Sequence, residues 1–507
     1  MKRIMALALS AAMLFSGTAY AAAAAYNTPF ERNTLGCSEY RIPALLTLKD
    51  GSVCASADMR WSHGKDSPQN IDTVFAKSSD GLGDWKYTVV NRFDDYADGE
   101  SSANSASFID SALLQSNNGT LFMLTEAYMS GIGIMNTKKG SGCIEINGKK
   151  YISLTEKGKA DYTSYISDFE NGFAPVIKNG KATGYSVDEE YRLYKNGVLL
   201  TMPQLDRNEK PTGKKIAQSV FYSEADYHVF ETPFLWLRSS TDGGETWSSP
   251  VILNSQVTSE NDYFLGACPG RGISVTVNGK ERLIFTVYHS NAGGDEKAMT
   301  IYSDDGGITW NRGEEVKNSV FTGKTSESQI VKLPDGTLRM FSRNSSNYTA
   351  SCDSTDGGVT FSKSFAEQNM YGTKNCMVSF INCSRKINGK DVIISSSGSS
   401  PEGRANGAVR VFEINEDNSF NMLSEYHVNR GFYAYSCLTE LENGNIALLY
   451  EDEASHINYM ILSLDETGRL SEINGHNIEF DEEESFTQKV KRFFDKIWFL
   501  IENIINV

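Results

Sequence analysis

Histidine is scarce in this 507-residue chain: there are six, scattered singly, with no HExxH or comparable spacing that could hold zinc. Nothing signals metal chemistry or a cofactor. Cysteine is little commoner. Its eight copies (Cys37, Cys54, Cys143, Cys268, Cys352, Cys376, Cys383 and Cys437) are dispersed, with no CxxC pair and no dense framework. They would suit four disulfides in an oxidising compartment but fix no pairing. Positive charge is in deficit, the balance being −16, which argues against a nucleic-acid partner. The apolar stretch IMALALSAAMLF is short for a membrane span. Between Lys2 and Arg3 and the small residues of SGTAYAAAAAY, it reads as a secretory leader over residues 1–25, cleaved after Ala21. That reading predicts a secreted or cell-surface protein without a membrane span.

Turn and strand signals, by contrast, fill the chain. Residues 240–247 read STDGGETW, 303–310 read SDDGGITW and 354–361 read STDGGVTF, all of the form S-x-D-x-G-x-T-aromatic. A degenerate fourth, SSDGLGDW at 78–85, carries Leu82 in place of the glycine and Asp84 in place of the threonine. Such an octet suits a β-turn. Serine and aspartate side chains bond nearby amides, glycine takes the unusual torsions, and the aromatic ring packs back on the strand. These are Asp boxes, which mark propellers of the sialidase type and several unrelated ones, and their expected role is structural. The intact boxes recur at close to one four-stranded blade each. The gap before 240 is far longer, and its polar, turn-rich residues 137–231 predict a small β-rich subdomain inserted in a blade loop. The propeller then occupies 26–136 and 232–470. Residues 471–507 read as an acidic linker, EFDEEES, and an amphipathic helix that docks on the propeller or a partner.

CSEYRIPALLTLKDG poses a problem of charge. Arg41 enters an apolar strand and must be desolvated, which is unfavourable unless an anion meets it. The anion is either a carboxylate elsewhere in the chain or one that arrives with a ligand. YRIP ahead of the first box resembles the motif of bacterial exo-sialidases, and the resemblance covers most of residues 30–465. It implies an all-β fold, a six-bladed β-propeller, and three arginines that clamp the substrate carboxylate by bidentate contacts. Arg41 matches the first. SESQIVKLPDGTLRMFSR resembles the segment with the second, giving Glu327 and Arg343, and PEGRANGAVR supplies Arg404 as the third. Arg271, in PGRGI, is a decoy, since it precedes Glu327 and breaks the family order.

The resemblance also implies an acid on a loop after the first arginine. Asp66, in RWSHGKDSPQNID, takes that place; Asp58 reads as a strand-end residue and Asp72 as the start of the following strand. Arg60 and, more weakly, Asp110 in FIDSALL resemble substrate-facing pocket residues. The nucleophile follows a physical argument. Sialic acid carries a carboxylate on its anomeric carbon, so an anionic nucleophile would be repelled and a neutral phenol would not. Sialidases are accordingly an exception among glycosidases in using tyrosine. A phenol with a pKa near 10 needs a base. The context A-Y-S selects Tyr435 as nucleophile with Glu327 as its base. Tyr433 is the alternative, because residues two apart on a strand share a face. Glu451 matches the glutamate that orients the first arginine. The resemblance thus implies a retaining exo-α-sialidase acting on sialylated glycoproteins, gangliosides and oligosaccharides. A trans-sialidase, intermolecular or intramolecular, and a non-catalytic sialic-acid-binding propeller stand as rivals.

Overall fold

The computed structural model describes residues 27–291, 294–453 and 456–473. The leader read at 1–25 and the tail helix lie outside the described residues. Strand dominates: the described helical segments are one short α-helix, Asn254–Val257, and two 3-10 turns. No described helix is long and apolar enough to cross a membrane.

Among the described residues outside 143–229, the strands pair into six mainly antiparallel units, the first two joined in one sheet, each built outward from an inner strand. The inner strands are Glu39–Thr47, Ser107–Gln115, Phe264–Ala267 with Ile273–Val277, Thr325–Lys332, Ser379–Asn382 and Ser436–Glu440. Local chemistry makes the hairpins. In the first unit Asp50 Oδ1 accepts the Ser52 amide at 3.0 Å, and in the fourth Asp335 Oδ1 accepts that of Thr337 at 2.9 Å. In each, a following glycine in the left-handed region completes the turn (Gly51 φ 83°, Gly336 φ 93°). The first two units meet through the parallel bridge Ile71↔Ser107. Neighbouring units pack along these inner strands, the third meeting the fourth through Lys280–Ser290, and the last returns to the first, giving a propeller-like ring. There the Thr47 amide donates to Thr439 Oγ1 at 2.9 Å.

Each Asp box fastens its own unit to the one before it. In the second unit Ser240 Oγ donates to Asp242 Oδ1 (2.7 Å), and Asp242 accepts the amide of Thr246 (2.9 Å) and its hydroxyl (2.5 Å). The pattern repeats around Asp305 and Asp356. Gly244 (φ 93°) lies so close to the first unit that a Cβ would meet Phe75 Cε1 at 2.4 Å. Gly307 abuts Phe122 of the second unit, and Gly358 abuts Ile284 of the third. The degenerate box does the same across the ring closure. Gly81 lies against Leu441 and Tyr459 of the sixth unit, and Trp85 meets Tyr459 edge-on at 5.8 Å. Here Asp80 accepts the Leu82 amide at 2.8 Å, but no threonine bond exists to be made. Replacing Asp305 with alanine should lower the melting temperature by a few degrees while leaving the turnover of surviving protein unchanged; a large loss of turnover without destabilisation would give the boxes a second role.

Strands between Cys143–Ile146 and Tyr227–Val229 form a separate eight-stranded sheet and a two-stranded hairpin. The second unit resumes directly afterwards, with Phe234 opposite Ala127. One aromatic core joins the two bodies: Phe108 and Phe221 meet Trp236 at 5.2 and 5.5 Å, and Phe93 stacks on Phe108 at 4.3 Å. The last strand, Leu470–Glu472, carries the sixth sheet slightly past residue 470. All eight cysteines are free thiols, six of them buried. The four disulfides their number would suit do not form.

Candidate active site

Two bulges open the site. On the first inner strand the register shifts between Arg41 and Ala44, and Ile42 takes φ 60°. On the second it shifts between Ile109 and Ala112, and Asp110 takes φ 61°. Such torsions are unfavourable for L-residues, above all a β-branched one, and need outside support. A buried carboxylate supplies it each time. Glu451 Oε1 accepts the Ile42 amide at 3.0 Å, and Asp58 Oδ1 accepts the Asp110 amide at 3.1 Å.

The same two carboxylates each hold an arginine. Arg41 Nε and Nη2 donate to the two oxygens of Glu451, both at 3.1 Å, and Glu451 is fully buried. So the anion that Arg41 requires is, on one edge, a carboxylate of this chain. Its other edge, Nη1, faces Gly64 O at 3.2 Å and Asp66 Oδ1 at 3.8 Å. Asp58 Oδ2 accepts from Arg60 Nη2 at 2.8 Å, and Arg60 Nη1 reaches Gly64 O (2.7 Å) and Asp66 Oδ1 (2.8 Å). The expectation that Asp58 is only a strand-end residue is therefore corrected. It is fully buried and underpins both Arg60 and the Asp110 bulge. Asp72 instead accepts from Trp61 Nε1 at 2.8 Å.

Asp66 stands at the rim with its side chain 58% exposed. Partial burial would raise its pKa, but Arg60 and then Arg41 outweigh that and hold the carboxyl below its usual range. Asp110 behaves oppositely. Burial, with Glu126, Asp58 and Glu327 nearby, pushes its carboxyl well above the usual range. Glu126 is raised likewise, mainly by burial, and accepts from Tyr128 Oη at 2.9 Å. Sequence reasoning missed Glu126 and Tyr128. The signal was available: an acid inside the apolar run LFMLTEAY is the same anomaly that Arg41 presents.

Across the cavity, Tyr435 Oη donates to Glu327 Oε1 at 2.6 Å. Arg343 Nη1 donates both to Glu327 Oε2 and to Tyr435 Oη, each at 2.9 Å. The Arg41 and Arg404 guanidinium groups lie over the Tyr435 ring at 5.6 and 5.2 Å, and Arg404 Nη2 also donates to Asn375 O at 3.2 Å. Burial and the Glu327 charge raise the phenol's pKa well above normal despite Arg343 and Arg404, so it rests neutral. Tyr433 points elsewhere: its hydroxyl meets Ser396 Oγ at 2.5 Å and its ring stacks on Tyr450 at 5.4 Å. The shared-face expectation fails because residues 433–435 lie between strands, where a two-residue period does not apply. Arg41, Arg60, Asp66, Glu327, Arg343, Arg404, Tyr435 and Glu451 thus form one cluster, with Asp110 joined to it through Asp58. Arg271 lies apart from it. No group of three or more potential metal ligands occurs among the described residues.

The fold and cluster together define an Asp-box propeller with an arginine-lined site around a tyrosine–glutamate pair. The BNR repeat-like domain family matches residues 215–448. An anhydrosialidase of Macrobdella decora is 34% identical over 452 residues, covering 81% of this chain and 58% of that protein. Sialidase B of Streptococcus pneumoniae is 31% identical over 443 residues, covering 81% and 61%. The chain spans about three fifths of the length of these curated relatives. The solved intramolecular trans-sialidase from Ruminococcus gnavus, in complex with oseltamivir carboxylate, superposes with a TM-score of 0.77 at 34% identity. That match covers 85% of this chain and 96% of the other. The chain belongs to the sialidase family.

Proposed function

We propose that the protein is a retaining exo-α-sialidase that releases terminal sialic acid from glycoconjugates through a tyrosyl intermediate. The observation that carries this reading is the short Tyr435–Glu327 hydrogen bond, with Arg343 donating to both groups. The Nη1 edge of Arg41, with Arg343 and Arg404, binds the sugar's carboxylate and sets the anomeric carbon against Tyr435 Oη. Glu327 takes the phenolic proton as the oxygen attacks. Asp66 protonates the leaving glycosidic oxygen and then, ionised, takes the proton of the hydroxyl group that displaces the tyrosine from the anomeric carbon, and the phenoxide that leaves takes back the proton held by Glu327. Arg60 and Asp110 face the hydroxyl and amide side of the ring.

In the free protein Asp66 is held ionised by Arg60 and Arg41, yet a general acid needs a proton. The incoming carboxylate resolves this, because it offsets the positive potential and lets the Asp66 pKa rise in the complex. The descending limb of kcat against pH should therefore lie at higher pH than that of kcat/KM, which reports the free protein. Coincident limbs would remove Asp66 from the acid role.

A second reading concerns the product. Relatives named as an anhydrosialidase and as an intramolecular trans-sialidase favour attack by the sugar's own hydroxyl in place of water. Mass analysis of the sugar released from sialyllactose decides between them: free sialic acid supports hydrolysis, a product lighter by one water supports intramolecular transfer. No turnover with retained binding would leave a sialic-acid-binding propeller.

A further inference from the structure

The inner strand of the third unit is interrupted. It runs as Phe264–Ala267, leaves the sheet, and returns as Ile273–Val277. The excursion between them enters the axis of the ring. Gly270 and Arg271 pair in parallel with Ala112 and Leu113 of the second inner strand, and the segment also packs against the first and sixth. Gly270 abuts Met377, Gln329 and Cys437, and Gln329 Nε2 donates to Pro269 O at 3.0 Å. The backbone of Pro269 and Gly270 therefore plugs the channel, and Arg271 carries a charge into it.

That charge is uncompensated by the protein. Arg271 forms no ion pair among the described residues, and its one hydrogen bond is a long one, from Nη1 to Leu438 O at 3.4 Å. The ionisable groups that act on it are the thiols of Cys437 and Cys54. Burial holds both thiols protonated, Cys437 being pushed up to about 11 and Cys54 higher still. Burial correspondingly lowers the Arg271 pKa. Arg271 is only part-buried, and no hydrogen bond from its Nε or Nη2 occurs among the described residues. A part-buried guanidinium with open donors and no carboxylate is unfavourable unless something negative meets it.

We propose that Arg271 is an anion site on the propeller axis and takes a small monovalent inorganic anion of the halide class. A single positive charge sets the valence. The Leu438 carbonyl and two neutral, polarisable thiols around it disfavour a multiply charged oxyanion, whose extra charge would find no donor. The site is separate from the Arg41–Arg343–Arg404 cluster and does not depend on any catalytic assignment.

The test uses the full chain and chloride itself. The ³⁵Cl NMR line of sodium chloride should broaden in the presence of wild-type protein, bromide should reverse the broadening, and Arg271→Met should abolish the part that wild type has in excess. Replacing sodium gluconate by sodium bromide at equal ionic strength should raise the wild-type melting temperature by a few degrees and leave Arg271→Met unmoved, because an anion that binds only the folded state stabilises it. Should Arg271→Met fail to fold, Arg271→Lys keeps the charge and should retain the broadening at lower affinity. Turnover of a sialoside by Arg271→Met should stay within about twofold of wild type, since the residue is off the reaction path. Equal broadening by wild type and Arg271→Met, or a melting temperature indifferent to halide, means that only water sits there and overturns the site. A large loss of turnover would place Arg271 in the catalytic cluster and overturn it equally.

Discussion

Tyr435→Phe should lose turnover by roughly a thousandfold or more, about 4 kcal/mol of transition-state stabilisation, while remaining folded and still binding the carboxylate. The substitution is conservative where it matters for stability. Removing the hydroxyl leaves Glu327 and Arg343 paired with each other at 2.9 Å, so neither is left as a buried bare charge. The ring keeps its place beneath the Arg41 and Arg404 guanidinium groups. What disappears is the oxygen that donates to Glu327 and that the proposed mechanism uses as nucleophile. Tyr433→Phe is the matched control. It forfeits a contact with Ser396, at about 1 kcal/mol of stability, and should leave turnover nearly intact. A fluorinated sialosyl fluoride, which slows breakdown of a covalent intermediate, should label wild-type protein on the peptide containing Tyr435. Label on Glu327, or full activity in Tyr435→Phe, would end the tyrosyl mechanism.

Asp66→Asn should show a loss that depends on the leaving group. The asparagine keeps the shape of the side chain but has no proton to give. For sialyllactose, whose leaving alkoxide is strongly basic, kcat/KM should fall by about 10² to 10⁴. For a nitrophenyl sialoside, whose phenolate leaves without help, the fall should be far smaller. The contrast matters because Asp66 also neighbours two arginines. A purely electrostatic or positional role would reduce both substrates alike, and that result would reassign the acid.

The sequence made some of this legible and hid the rest for identifiable reasons. The Asp boxes could be read outright, because their bonds join residues within one octet and owe nothing to the rest of the fold. The arginines could be placed by order and context, and a buried charge in an apolar strand announced that Arg41 needed a partner. Which partner was another matter, since Glu451 lies 410 positions away and only ring closure brings it near. Asp58 was passed over because its surroundings in SADMR resemble an ordinary strand end. Its work is done through the amide of Asp110, 52 residues further on, at a bulge that no periodicity reveals. Tyr433 and Tyr435 were indistinguishable by alternation for the opposite reason. The rule assumed a strand where the chain runs irregularly between two, and there successive rings can face a core and a cavity. The cysteines misled through number alone, an even count being necessary for pairing but never sufficient.

The ring is joined where its first and last units meet, and the site lies across that joint. Arg41 belongs to the opening strand, Glu451 lies in the final sheet, and Tyr435 directly precedes that sheet's inner strand. One of the fastenings there is the degenerate box, the octet without its threonine bond. On the proposed mechanism, chemistry and circular closure are one event: a ring sprung at this seam would keep nearly all of its sheet structure, but Arg41 would no longer face Tyr435 and turnover should be lost. A bound sialoside, gripped from both sides, acts as a rivet through the two ends of the chain, and the folded lifetime of the molecule should lengthen whenever its pocket is filled.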